Sequence, residues 1–276
     1  MSEDLPGDEP LTGGAALVRV SRDGAVALLT LARPQAANAL DGEISDALLA
    51  AIRSVRDTDD VRAMVLTGAG SAFSGGGDVA TIRAMRDDPA VRAAILGTHA
   101  ELFWEMTRLP FPSVAAVNGP AIGAAVTVAL LCDLVVMADD AFFSDPRVSL
   151  GLLDGAGGLL LWPLLTSLSA AREYLLLGDR VTAAEARRLG LANRVVATSD
   201  VLPEAMSLAQ RLARLPGPAV RELRRLLNLP VEQAAAALAD SAKAEYHLFD
   251  TPEHHALVER LADRLAARTR KRDVGS

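Results

Sequence analysis

Short apolar runs alternate with amphipathic segments over the first two thirds of the chain. Five runs of strand length predict β-strands, at residues 17–20, 25–31, 63–67, 114–117 and 134–137. Ile44, Leu48, Ile52 and Val55 follow the helical period, and Asp41 is a good N-cap for a helix that runs to about residue 55. Further helices are predicted at residues 89–108 and 122–132. This order of strand, loop and helix predicts a mixed α/β core.

The pattern becomes mostly helical beyond residue 156. It predicts further helices at residues 159–165, 170–177, 183–189, 201–215, 218–228, 231–249 and 252–269. In the last of these, Leu257, Leu261 and Leu265 form a stripe with i, i+4 spacing that needs a packing partner. We therefore predict a core at residues 15–200 and a C-terminal helical region at residues 201–276. The acidic segment at residues 1–14 contains Pro and Gly without apolar periodicity, which predicts a disordered lead.

Charge and composition narrow the class of protein. The 276 residues carry a net charge of −7, which argues against a nucleic-acid partner because such proteins need a basic face. The one cysteine, Cys132, lies in an apolar run; we expect a core residue and no cysteine-based metal site. Asn118, Pro120 and Asp133 interrupt the apolar stretch at residues 114–137, which argues against a membrane span. Without a signal-peptide pattern at residues 1–14, we expect a cytoplasmic protein.

Two glycine-rich segments carry the candidate chemistry. Residues 73–78, Phe-Ser-Gly-Gly-Gly-Asp, follow a predicted strand, and the glycines permit positive φ and close approach of a ligand to the backbone. Residues 118–124, Asn-Gly-Pro-Ala-Ile-Gly-Ala, join a strand to an apolar helix whose first N–H groups have no intrahelical acceptor. Backbone N–H groups freed at such turns stabilise a developing negative charge. A flexible surface turn and a tight packing corner are the respective alternative interpretations.

These segments, with other short matches, resemble the crotonase, or enoyl-CoA hydratase/isomerase, superfamily. The matches include Thr-Leu-Ala-Arg-Pro at residues 30–34, Asn-Ala-Leu at 38–40, Val-Leu-Thr-Gly at 65–68 and Gly-Ala-Gly-Gly at 155–158. They span residues 16–200 with high specificity and the C-terminal helices more loosely. The resemblance implies an α/β fold built as a spiral of ββα units with a C-terminal helical region. It also implies an acyl-CoA substrate and a homotrimer or a dimer of trimers.

The resemblance implies roles for individual residues. The backbone N–H groups of Gly77 and Ala124 fall where the family holds the thioester oxygen, and there they would stabilise an enolate. Asn38 falls on a structural position. Coenzyme A enters as part of the substrate, not as a separate cofactor, and the implied substrate-binding positions are Gln35, Ala36, Ala37, Gly76, Asp78, Val79, Ala80 and Gly123.

The chain departs from the family at the two glutamates that hydratases use. Thr127 and Arg147 occupy those positions and are candidate catalytic residues by position alone. Hydration needs one carboxylate as base and another as proton donor, and arginine stays charged near neutral pH. Asp154 matches a catalytic aspartate of the dihydroxynaphthoyl-CoA synthases, and a turn or N-cap role is its alternative. Asp145 is a candidate for substrate binding or for a turn, and Arg147 for pairing with either aspartate or with a substrate carboxylate.

Two classes of function are therefore open. The first is an acyl-CoA enzyme of the hydratase/isomerase type that stabilises a thioester enolate, with its reaction left open. A lyase, decarboxylase, C–C bond-cleaving hydrolase or cyclising reaction using Asp154 would each fit. Isomerisation by the family's usual residue is not expected, because the resemblance places that residue at Arg147. The second is a non-catalytic acyl-CoA or acyl-carrier binding protein that keeps the N–H donors. We expect His99 to be solvated or structural, and Tyr246, His247 and Phe249 to serve helix packing.

Overall fold

The computed structural model describes residues 17–273, so the lead predicted at residues 1–14 lies outside the described residues. In this part of the chain the strands are β1 Val18–Asp23, β2 Val26–Leu31, β3 Ala63–Gly68, β4 Ser113–Val117, β5 Ala121–Ile122, β6 Leu134–Ala138, β7 Phe142–Ser144, β8 Arg180–Thr182 and β9 Arg194–Val196. They form a six-stranded sheet of order β1-β2-β3-β4-β6-β9 and a three-stranded sheet of order β5-β7-β8.

The larger sheet is parallel except for the antiparallel hairpin of β1 and β2. Every residue of β3 and of β4 is buried. Parallel strands covered on both faces read as continuous apolar runs, so these strands were predictable from the sequence. Cys132, just before β6, is also buried, and burial raises the pKa of its thiol to about 12. Its predicted place in the core is confirmed.

Helices cover the larger sheet and continue to the end of the described chain. They are α1 Gly42–Arg56, α2 Val79–Asp87, α3 Pro89–Thr107, α4 Ala124–Leu130, α5 Gly158–Leu165, α6 Leu168–Leu177, α7 Ala183–Leu189, α8 Val201–Ala213, α9 Gly217–Leu227, α10 Leu229–Gln233, α11 Ala235–Leu248 and α12 Pro252–Asp273. The carboxylate of Asp41 caps α1 by accepting the N–H of Ile44 at 3.0 Å, which confirms the predicted N-cap. Helix α1 packs on β1 and β2, and α8 packs on β3, β4 and β6.

The smaller sheet was not predicted, because its strands have only two or three residues and show no periodicity. It also corrects the start of the helix predicted at residues 122–132. Ala121 and Ile122 pair with Phe143 and Ser144, and the N–H of Gly123 donates to the carbonyl of Ser144 at 2.9 Å. The helix therefore begins only at Ala124.

Helices α11 and α12 pack against helices of the core and against the 3-10 helix that carries residue 147. The single helix predicted at residues 231–249 is wrong, since α10 ends at Gln233 and α11 begins at Ala235. Helix α11 contacts α3 and α5, while α12 contacts α2 and the 3-10 helix Pro146–Leu150. Within residues 17–273, no helix combines the length and apolarity that a bilayer crossing requires. The domain boundary at residue 200 stays a prediction.

Candidate active site

A cavity of about 110 Å³ lies between α2, α3, α11 and the two glycine-rich segments. Its polar side chains are those of Thr81, His99, Arg147 and Glu245. The rest of its wall is formed by apolar side chains and glycines: Leu40, Gly75, Gly76, Gly77, Ile82, Met85, Ile95, Leu96, Ile122, Gly123, Ala124, Pro146, Leu150, Leu152 and Phe249. An apolar cavity with a few converging polar groups is typical of a small-molecule site.

The two glycine-rich segments are joined to each other by backbone hydrogen bonds. The N–H of Ser74 donates to the carbonyl of Pro120 at 3.1 Å, and the N–H of Ile122 donates to the carbonyl of Ser74 at 3.0 Å. Gly76 has a φ of +76°, and a Cβ at this position would overlap the carbonyl oxygen of Ile122. Glycine is required at residue 76 by both conformation and space.

Gly77 and Ala124 both border the cavity, as their predicted role requires. Among the hydrogen bonds of the described residues, neither backbone N–H has an acceptor within the protein. Ala124 is the first residue of α4, a position whose N–H has no intrahelical partner. Two unpaired donors from different segments therefore adjoin one cavity.

Arg147 forms ion pairs with two buried aspartates at the cavity wall. Its Nε and Nη2 donate to Oδ1 and Oδ2 of Asp145 at 2.8 and 2.6 Å. Its Nη2 also lies 2.7 Å from Oδ2 of Asp154. Burial alone would lower the pKa of Arg147, but the carboxylates of Asp145 and Asp154 hold that pKa well above its usual value. The guanidinium thus pairs with both aspartates and not with one alone.

Glu245 is a cavity residue that the sequence analysis did not identify. It lies on α11 with 4% of its surface exposed, and its Oε2 accepts the N–H of Gly155 at 2.9 Å. Its Oε1 is 4.0 Å from Nη1 of Arg147. A signal for it was present: Leu238, Ser241, Glu245 and Phe249 follow helical spacing and are all buried. Glu245 is an acidic residue on the buried, largely apolar face of a helix, and such a residue indicates a candidate site.

A family model described as enoyl-CoA hydratase/isomerase matches residues 21–269. The chain belongs to this family. This enoyl-CoA hydratase/isomerase family member is 30% identical over 238 residues to the short-chain-enoyl-CoA hydratase of Clostridium acetobutylicum. The matched residues cover 86% of this chain and 90% of that protein.

Two solved structures share the fold of this family member. A crystal structure of an enoyl-CoA hydratase/isomerase from Mycobacterium paratuberculosis gives a TM-score of 0.85 at 37% identity, covering 89% of this chain and 98% of that one. A crystal structure of an enoyl-CoA hydratase/isomerase from Xanthobacter autotrophicus Py2 gives a TM-score of 0.84 at 30% identity. It covers 95% of this chain and 99% of that one. The predicted family, the crotonase-like α/β fold and an enzyme that processes acyl-CoA thioesters are confirmed.

Thr127 and Arg147, which the resemblance predicts at the family's two glutamate positions, both contact Asp154. Thr127 is buried and its hydroxyl donates to Oδ2 of Asp154 at 2.8 Å. Oδ1 of Asp154 accepts the N–H of Ala156 at 2.7 Å, a local bond of the kind that forms turns. Neither Thr127 nor Asp154 belongs to the cavity lining, whereas Arg147 does. In this family member, Asp154 therefore has a structural environment, and its catalytic role stays a prediction.

The segment at residues 155–158 explains how two carboxylates fit beside α5. A Cβ on Gly155 would overlap Oε2 of Glu245, and a Cβ on Gly158 would overlap Oδ2 of Asp154. The glycines there leave room for the buried acidic side chains.

The predicted substrate-binding residues 35–37 and 78–80 do not belong to the wall of the cavity. Gln35, Ala36 and Ala37 are exposed, and the carbonyl of Ala37 accepts the N–H of Gly75 at 2.7 Å. Asp78 caps α2 by accepting the N–H of Thr81 at 2.7 Å.

Of the other predicted substrate-binding residues, Val79 and Ala80 lie in the first turn of α2. Gly76 and Gly123 border the cavity. Asp145 forms an ion pair with Arg147. Asn38 is fully buried, and its amide donates to the carbonyls of Ala69 and Ala72 at 2.8 and 2.9 Å, which supports its structural role.

Burial moves the pKa values of Glu245 and His99, which both border the cavity, in opposite directions. Burial raises the pKa of Glu245 to about 8; Arg147 lowers it in part, and Asp154 raises it further. Burial lowers the pKa of His99 to about 4, and the nearby Arg147 lowers it as well, so this imidazole is neutral at pH 7. His99 lies 3.3 Å from the hydroxyl of Ser45. His99 and Phe249 border the cavity, and Phe249 is also buried with Met85, Ile95 and Leu152, which confirms its predicted packing role.

Proposed function

We propose that this enzyme binds an acyl-CoA and stabilises its thioester enolate with the backbone N–H groups of Gly77 and Ala124. The observation that carries the proposal is the pair of unpaired N–H donors beside one apolar cavity. Donors fixed in advance around a developing oxyanion contribute strongly to catalysis in a site that excludes water. Membership of the family supplies the thioester as the group that these donors would meet.

The apolar wall suits the acyl chain, and the exposed residues beside it suit the coenzyme A moiety. Leu96, Leu152 and Phe249 are among the side chains that would contact the acyl carbons. Gln35 to Ala37 and the start of α2 would lie along the coenzyme A moiety, as the family resemblance implies. The trimer or dimer of trimers and the cytoplasmic location stay predictions.

Hydration by two carboxylates is the less favoured reaction for this chain. The two glutamate positions hold Thr127 and Arg147, and neither side chain supplies a carboxylate. A proton transfer next to the thioester needs one base and the oxyanion donors, and it requires fewer groups than hydration. We therefore favour isomerase-type chemistry, and the reactions that would use Asp154 are less favoured because its carboxylate is engaged by Thr127 and Arg147.

Replacing Ala124 with proline tests the proposal by deleting one donor. Proline is tolerated at the first position of a helix, because the N–H there has no intrahelical acceptor. We expect Ala124→Pro to lower kcat for but-3-enoyl-CoA by about 10²–10³, the usual cost of losing one such donor. Ala124→Ser keeps the N–H and is the matched control.

The readouts are steady-state turnover of but-3-enoyl-CoA and crotonyl-CoA together with calorimetric binding of each thioester. Ala124→Pro with the turnover of the wild type would contradict the proposed oxyanion contact. Tight binding by the wild type without turnover of either thioester would favour the non-catalytic binding protein instead.

A further inference from the structure

We propose that Glu245, supplied by the C-terminal helix α11, is the acid–base residue that moves the proton at the acyl α-carbon. This inference rests on the proposed function and adds the group that its enolate chemistry lacks. Of the described residues that border the cavity, Glu245 alone carries a carboxylate. It shares that cavity with the two N–H donors of Gly77 and Ala124.

The packing of α11 fixes where this carboxyl group lies. Leu238 and Phe249, on the same face of the helix region as Glu245, are buried. The N–H of Gly155 donates to Oε2 of Glu245, and only a glycine at residue 155 leaves space for that oxygen. Among the hydrogen bonds of the described residues, Oε1 has no donor, since the nearest guanidinium nitrogen of Arg147 is 4.0 Å away. One oxygen is therefore held in place and the other is left for a substrate proton.

The charges around Glu245 leave both of its protonation states accessible. Arg147 faces it with one positive charge, but that guanidinium makes its short contacts to Asp145 and Asp154. Those two aspartates disfavour a further negative charge nearby, and the neutral His99 adds no positive charge. Burial and these neighbours place the pKa of Glu245 at about 8. A general acid–base works best when its pKa is near the operating pH.

The chemistry needs no second reactant. In but-3-enoyl-CoA the ionised carboxylate of Glu245 takes a proton from the α-carbon, and the C–H electron pair forms a dienolate whose oxygen accepts the N–H groups of Gly77 and Ala124. The protonated Glu245 then returns the proton to the γ-carbon. The double bond shifts into conjugation with the thioester, and the carboxylate is regenerated. One carboxyl group thus performs both proton transfers.

The test compares wild-type enzyme with Glu245→Gln, Glu245→Asp and Asp240→Asn. Glutamine keeps an oxygen for the N–H of Gly155 and cannot take the proton. Asp240 is exposed on the same helix, so Asp240→Asn removes an equal charge away from the cavity. The measurements are the conversion of but-3-enoyl-CoA to its conjugated isomer, deuterium incorporation at the α-carbon in D₂O, and calorimetric binding of the thioester.

We expect Glu245→Gln to lower both rates by about 10²–10⁴, the usual contribution of a general acid–base, and to leave binding within about threefold. Asp240→Asn should match the wild type, and Glu245→Asp should retain an intermediate rate. In the wild type, kcat/KM should rise with pH and level off above about pH 8, because the base form of Glu245 accumulates there. In Glu245→Gln this rise should be absent.

A Glu245→Gln enzyme that turns over within about threefold of the wild type would overturn the assignment, given the size of ordinary general-base effects. If the glutamine variant does not fold, Glu245→Asp decides, and a wild-type rate for it overturns the assignment equally. A wild-type enzyme with no turnover and no exchange would instead count against the proposed function, so the two failures are distinguishable.

Discussion

Glu245→Gln should make the folded protein more stable, and the gain should grow as the pH rises. Burial raises the pKa of Glu245 from its ordinary value of 4.5 to about 8. Between these two values the unfolded chain releases the proton while the folded protein keeps it. The folded state then binds more protons than the unfolded state, so wild-type stability falls as the pH rises through this range. Glutamine does not ionise and avoids that loss.

The size of the effect follows from the pKa values. Each pH unit in the interval lowers the free energy of unfolding by up to about 1.4 kcal/mol, so the whole interval corresponds to at most about 5 kcal/mol. Below about pH 4.5 the carboxyl group is protonated in both states and contributes no difference. The amide oxygen of the glutamine still accepts the N–H of Gly155, so the local contact is preserved.

Urea denaturation followed by the fluorescence of Trp104 and Trp162 measures the prediction. The free energy of unfolding of Glu245→Gln minus that of the wild type should be several kcal/mol larger at about pH 8 than at about pH 5. Asp240→Asn, on the exposed face of α11, should show a small and pH-independent difference. A difference for Glu245→Gln that is equal at the two pH values would refute the reasoning, because it would mean that Glu245 is ionised in the folded protein throughout.

Two further predictions concern residues that contact the buried carboxylate of Asp154, namely Gly158 and Thr127. Gly158→Ala should lower the free energy of unfolding by about 1–3 kcal/mol in urea denaturation, since the added methyl group overlaps Oδ2 of Asp154 and forces the carboxylate to move. Thr127→Val keeps the shape of the side chain but removes the hydroxyl donor to the same oxygen, and it should lower stability by about 1–3 kcal/mol in the same assay.

Each of these variants has a control within the chain. Nothing lies within 4 Å of a Cβ placed on Gly97, so Gly97→Ala in α3 should be neutral or stabilising. Thr127→Ser keeps the donor and should retain most of the stability. If Thr127→Val has unchanged stability and a strongly reduced kcat, Thr127 acts on the substrate and not on Asp154.

The cavity shows a conflict between stability and activity. An ionised Glu245 destabilises the folded protein at the pH where it would be needed as a base. Glu245→Gln is therefore expected to stabilise the fold and to abolish most of the proton transfer. Such a trade-off between stability and activity is common for buried catalytic groups.

The C-terminal region shows where sequence reasoning fell short. A single helix was predicted at residues 231–249, but α10 and α11 are separated at Ala234, and the place of Glu245 in the cavity was missed. Hydrophobic periodicity predicts that a helix has a buried face, but it does not predict which residues that face contacts. The carboxyl group acquires its environment from Gly155 and Arg147, which lie far away in the sequence.

The sequence by itself determined the features that depend on local chemistry. The buried strands and the cap of α1 at Asp41 each satisfy a requirement of the nearby backbone, and such requirements are written in short stretches of residues. The same short stretches carried the family resemblance. The tertiary structure alone decided how Arg147 divides its charge between Asp145 and Asp154, and that Glu245 borders the cavity. Electrostatic effects of this kind depend on distances between segments and on the exclusion of water, and neither is set until the chain has folded.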